Sequence, residues 1–246
     1  MKELVGYITA GFPDINFSKD LTLSLKEAGV DRLELGIPFS DPVADGPVIE
    51  LANLKALQNG FKLEHLFELS KDIATQIDTY WMGYFNSFYH KGFENFTCKA
   101  RDFGVKGFII PDLPHEEAVA YTKEMDTKEL SLVSFVAPTD TPQRIKTVVE
   151  NSRGFVYLVA YAGITGSGAS EDLSNIIENI RNFTKTPVFV GFGVDEKSAK
   201  EKVKGVDGVI VGSAFVKVLL DDSLNSSEKI RKISTIAKNI KESINS

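Results

Sequence analysis

Short apolar runs alternate with amphipathic segments along the whole chain. Strand-like runs occupy positions 4–9, 32–36, 79–84, 107–110, 130–136, 155–160, 187–190 and 208–211. Between them apolar residues recur at helical spacing over 17–28, 47–59, 93–103, 116–125, 141–151, 173–182 and 196–203, and a last pair of helices begins near Ser213 and Ser227. Asp172 and Ser227 stand where N-caps belong, and Gly29, Gly104 and Gly205 where helices end. Strand–helix alternation predicts parallel pairing with right-handed crossovers. Eight such units make a closed barrel or an open doubly wound sheet. The 246-residue length, the regular spacing and the lack of a strand-plus-GxGxxG opening favour the barrel. The expected fold is α/β, a (β/α)8 TIM barrel forming a single domain over residues 1–246, with its chemistry in the loops that follow the strands.

One polar residue breaks the apolar pattern of the second strand. Side chains alternate along Arg32–Gly36, so Leu33 and Leu35 face the helices and Glu34 faces the barrel interior, which is normally filled by branched apolar residues. A carboxylate there must find a partner, such as an inward-facing arginine, or keep its proton. Its place at the strand's C-terminal end favours a working acid over a paired structural one. The following loop holds Asp41 and Asp45 and is stiffened by Pro42 and Pro47. Asp45 could cap the helix that Pro47 opens, or face Glu34 across the barrel mouth as the second member of an acid/base pair.

Glycines mark the last three strand ends: Gly163–Gly168, then Gly191-Phe192-Gly193, then Gly212-Ser213. The latter two fall where phosphate-binding barrels place their anion site, and backbone amides can grip phosphate there without a lysine. The first, rich in glycine and serine, reads as a lid.

Composition narrows the chemistry. The charge of −6 speaks against nucleic acid, and the single cysteine, Cys98, excludes an internal disulfide and fits a reducing cytoplasm. No apolar run approaches the roughly 20 residues that span a bilayer. His65, His90 and His115 lack metal-ligand spacing, and no lysine ends a strand where a Schiff base would need one. What remains is carboxylate acid/base chemistry on a small phosphorylated molecule, with no metal.

The run Leu33-Glu34-Leu35-Gly36-Ile37-Pro38-Phe39-Ser40-Asp41-Pro42-Val43-Ala44-Asp45-Gly46-Pro47 resembles the signature of the tryptophan synthase α family. Ile8-Thr9-Ala10-Gly11-Phe12-Pro13, Met82-Gly83-Tyr84-Phe85-Asn86, Ile110-Pro111-Asp112-Leu113-Pro114, Gly163-Ile164-Thr165-Gly166 and Val190-Gly191-Phe192-Gly193 extend the likeness in order along nearly the whole chain. The resemblance implies retro-aldol cleavage of indole-3-glycerol phosphate. Glu34 would shuttle protons and Asp45 would hold the indole N–H. Tyr7, Met82 and Tyr157 would line the pocket, and Thr165 would orient Asp45 when the lid closes. Gly166, Gly193, Gly212 and Ser213 would take the phosphate. It further implies a β subunit that carries pyridoxal phosphate, none being bound by this chain, in an αββα heterotetramer docked through Asp41, Asn86 and Asp112.

The chain departs from many family members in starting almost at its first strand, without a helix beneath the barrel, and in Tyr161 and Glu50. Two other readings share parts of the pattern: a phosphosugar epimerase or isomerase, which leaves the Glu34–Asp45 segment unexplained, and a non-catalytic regulatory barrel, which leaves both acids without a role.

Overall fold

A computed structural model describes residues 1–160 and 173–246. Its strands are β1 (Glu3–Thr9), β2 (Arg32–Gly36), β3 (Asp78–Met82), β4 (Gly107–Ile109), β5 (Ser131–Leu132), β6 (Ser134–Val136), β7 (Val156–Val159), β8 (Val188–Gly191) and β9 (Gly208–Val211). They lie in the order β5-β4-β3-β2-β1-β9-β8-β7-β6, with parallel pairing throughout. The two ends of that series are one stretch of chain. β5 pairs with β4, β6 pairs with β7, and only Val133 stands between them, its N–H donating to the Phe108 carbonyl at 3.0 Å. The sheet therefore closes, and the run predicted as one strand over 130–136 is divided because its two halves bond to opposite neighbours.

Around the barrel lie α1 (Ile15–Glu27), α2 (Pro47–Gln58), α3 (Leu63–Ile73), α4 (Phe85–His90), α5 (Phe93–Phe103), α6 (His115–Thr127), α7 (Pro142–Val149), α8 (Ser174–Phe183), α9 (Ala199–Lys202), α10 (Ser213–Leu219) and α11 (Ser226–Ile244). Local chemistry sets their ends. Asp14 accepts from Phe17 N at 2.9 Å to open α1, and Gly104 ends α5 in the left-handed conformation at φ 84°. The cap of α11 corrects the expectation for Ser227. Asn225 and Glu228 form a reciprocal capping box there, so Ser227 lies inside the first turn. Asp172 lies outside the described residues.

Alternation along each strand builds two cores. Leu33, Leu35, Trp81 and Phe108 face the helices and belong to the large outer cluster. Val5, Tyr80, Ile109, Val133, Phe155, Tyr157, Phe189 and Ile210 fill the barrel itself. Each such side chain contributes about 1.5–3 kcal/mol by leaving water. At the floor Arg32 grips Glu3 through two nitrogens (Nε to Oε2 2.6 Å, Nη2 to Oε1 3.3 Å), donates to the Tyr80 hydroxyl at 3.3 Å and lies over the Phe189 ring. That plug closes the lower end. No described helix is long and apolar enough to cross a membrane.

Candidate active site

At the opposite end the interior stops being apolar. Register places Glu34 between Tyr7 of β1 and Tyr80 of β3. Arg32 faces the same interior but belongs to the floor and is spent on Glu3, so the structural pairing of Glu34 with an arginine does not occur. Glu34 is 3% exposed, and among the described residues its Oε1 has no hydrogen-bond partner. Burial, then the neighbouring charge of Asp45, pushes its carboxyl up to about 8.

Asp45 arrives from the loop after β2, and its carboxylate does not cap α2. The N-cap is Gly46, with no side-chain bond, and Pro47 opens the helix. Two groups from elsewhere hold Asp45 instead. Asn53 Nδ2 of α2 donates to Oδ2 at 3.4 Å, and the Tyr84 hydroxyl hydrogen-bonds the same carboxylate. Tyr84 also accepts from Ala44 N at 2.9 Å and stacks on Phe39 with ring centres 5.2 Å apart, so one side chain fixes the loop at three points. Burial raises Asp45 to about 6, against the pull of those hydrogen bonds. Near neutral pH Glu34 thus keeps its proton while Asp45 is ionised. The pair is split into an acid and an anion.

The tyrosines are seated by missing side chains. A Cβ at Gly36 would overlap the Tyr7 hydroxyl, and one at Gly191 would overlap that of Tyr157. Each ring can lie flat across its neighbouring strand only because glycine stands there. Burial raises both phenols well above their ordinary value, with Asp45 and Glu34 adding to the effect.

Tyr7, Glu34, Asp45, Met82, Tyr157, Gly193, Gly212 and Ser213 all line one cavity, together with Gly46, Ile49, Phe192, Val194 and Ile210. Thr165, Gly166, Tyr161 and the expected lid lie outside the described residues. Asp41, Asn86 and Asp112 do not reach the cavity. They sit on the loop face, Asp112 accepting from Phe85 N at 2.7 Å, in company with exposed Val43 and Tyr89.

A larger space of about 920 Å³ lies between α6 and α7, yet most of its charged groups are already engaged. Arg144 pairs with Glu116, Arg153 with Asp126, and Asp140 binds Ala137 N. The smaller cavity holds Glu34, whose Oε1 has no partner among the described residues. Among the described residues no group of His, Cys, Asp or Glu could hold a metal ion.

Sequence reasoning missed Asn53, Tyr84 and Lys202. The Lys202 ammonium donates to the Phe192 carbonyl beside the glycine loop, at 2.7 Å. None carries a local signal, because each reaches its target from another element. Tyr84 stood within a quoted motif but had no assigned role.

Comparison with known proteins agrees with this fold. The family model described as "Tryptophan synthase alpha chain" matches residues 1–245. The tryptophan synthase alpha chain of Wolinella succinogenes is 56% identical over 247 residues, covering all of this chain and 97% of that one. The solved tryptophan synthase subunit alpha of Campylobacter jejuni superposes with a TM-score of 0.87 at 35% identity, over 96% of this chain and 95% of that one. A chain from the Pyrococcus furiosus tryptophan synthase α2β2 complex gives 0.84 at 31% identity, over 98% and 99%. A closed parallel barrel, in a sequence matched from end to end, places this chain in the tryptophan synthase alpha chain family.

Proposed function

We propose that this lyase splits indole-3-glycerol phosphate into indole and glyceraldehyde 3-phosphate, and passes the indole to a β subunit that carries pyridoxal phosphate in an αββα assembly. The observation that carries the reading is the buried Glu34, its Oε1 without a hydrogen-bond partner among the described residues and its proton favoured by burial, sharing one cavity with the more acidic Asp45.

The chemistry follows from that split. Glu34 gives its proton to indole C3, producing an indoleninium whose N–H the Asp45 carboxylate binds and whose positive charge it stabilises. The Glu34 carboxylate then takes the proton of the adjacent glycerol hydroxyl. As that C–O becomes a carbonyl, the bond to C3 breaks and its electron pair returns to the ring. Glu34 ends as it began, so no base or cofactor is consumed. Tyr7, Met82 and Tyr157 supply the flat apolar walls an indole needs. Gly193, Gly212 and Ser213, on the wall of the same cavity, would take the phosphate, with Gly166 and Thr165 of the loop after β7 assigned to phosphate and to Asp45 by their family positions. The loop face bearing Asp41, Asn86 and Asp112, with the exposed apolar Val43 and Tyr89, is the docking surface on this reading.

The test is indole release from indole-3-glycerol phosphate, with and without the β subunit. Glu34→Gln should lower turnover by roughly 10²–10⁴-fold while leaving the circular dichroism of the chain native-like and its unfolding cooperative. Undiminished release by that variant would end the catalytic assignment.

A further inference from the structure

The loop that follows β8 holds two consecutive residues in the left-handed region, Phe192 at φ 71° and Gly193 at φ 64°. Glycine adopts this conformation freely, whereas phenylalanine does so only under restraint. Both restraints come from the segment that follows. Lys202 Nζ donates to the Phe192 carbonyl at 2.7 Å, and Ser198 Oγ donates to the Gly193 carbonyl at 3.1 Å. Ser198 is itself fixed by Asp195, whose carboxylate accepts from its backbone N at 2.9 Å and whose own backbone N donates to its hydroxyl oxygen at 3.0 Å.

The ammonium lies close against the loop. A Cβ on Gly193 would come within 3.1 Å of it, and Gly193 and Val194 form part of the cavity wall beyond. Lys202 is half-buried, and burial holds it below its ordinary value. Among the described residues no ion pair consumes the charge, since Asp195 acts on it only through space. A half-buried, unconsumed positive charge behind a restrained glycine loop is poorly screened from an anion on the loop's other side.

We infer that Lys202 is a positioning residue of the phosphate site, holding Phe192 and Gly193 in the shape that presents the loop to a phosphoryl group and lending that site its fixed positive charge. The inference rests on the phosphate reading of the cradle. It also amends the expectation that backbone amides suffice there without a lysine.

Lys202→Met and Lys202→Arg test it in the full chain. Calorimetry would follow inorganic phosphate, indole-3-propanol phosphate and the uncharged alcohol indole-3-propanol. Lys202→Met should weaken both phosphates about tenfold and leave the alcohol within about twofold. In the same variant KM for indole-3-glycerol phosphate should rise about tenfold, with kcat nearly unchanged. Lys202→Arg, which keeps charge and donor, should recover most of the loss. Unchanged phosphate binding in Lys202→Met overturns the inference, and so does an equal loss for the alcohol, which would mark a merely structural residue. Should the wild type bind these phosphates but release no indole, the proposed function fails while the phosphate arm still judges Lys202.

Discussion

Glu34 and Asp45 are both carboxylates at one barrel mouth, yet their surroundings give them different proton affinities. Glu34 is buried beside tyrosines with no hydrogen bond to its Oε1 among the described residues, whereas Asp45 retains Tyr84 and Asn53. The separation predicts a bell-shaped pH dependence of kcat/KM. Activity should fall as pH drops through about 6, where Asp45 takes up a proton, and as pH rises through about 8, where Glu34 loses one. A profile flat across both values would contradict the assignment. Stability carries the same signature. The Glu34 carboxyl is raised from 4.5 to about 8, so between these values the folded chain holds a proton that the unfolded chain releases. That stabilisation is complete below the lower value and is lost as pH climbs through the upper one. Glu34→Gln should therefore gain on the wild type by a few kcal/mol between about pH 5 and about pH 8, as read from urea titrations at each end. At this scale sequence and structure divide the work. The inward aim of Glu34 was legible from strand alternation, whereas the role of Asp45 was not. A cap and a site acid look alike in Asp-Gly-Pro until Gly46 is found capping and Tyr84 is found holding the carboxylate.

Helices and strands in this chain are held by local devices that can be removed singly. Asn225→Ala deletes one side of the capping box of α11 and should cost about 1 kcal/mol, lowering the melting temperature by roughly 2–4 °C without touching indole release. Gly36→Ala acts between strands. Its methyl would occupy the space of the Tyr7 hydroxyl, and relieving that overlap should cost about 1–3 kcal/mol. The same change made in a Tyr7→Ala background should cost clearly less, since the two positions share one space. Equal costs in the two backgrounds would show that Gly36 is kept for another reason. Element positions were largely readable. Phe93–Phe103 was predicted to the residue, because its apolar spacing and the terminal Gly104 are neighbour effects. The division of the 130–136 run at Val133 was not readable, because it depends on which strands lie on either side.

Across the whole molecule the barrel separates its two ends by purpose. The floor is an ionic plug of Glu3 and Arg32 among aromatic rings, and the mouth holds the acids. Glu3→Gln leaves a half-buried guanidinium without its counter-charge and should cost about 1–3 kcal/mol in chemical denaturation, while indole release stays within about twofold. A large loss of turnover would show that the two ends are coupled. The sequence by itself determined the alternation of strands and helices, the inward face of Glu34, the glycines after the last strands and the family motif. These depend on period and turn chemistry, which act between neighbours along the chain. Tertiary structure alone decided that the sheet closes, that Arg32 pairs with Glu3 rather than with Glu34, and that Lys202 reaches the loop after β8. Burial and charge act through space between segments far apart in sequence, so their outcome exists only once the barrel has brought those segments together.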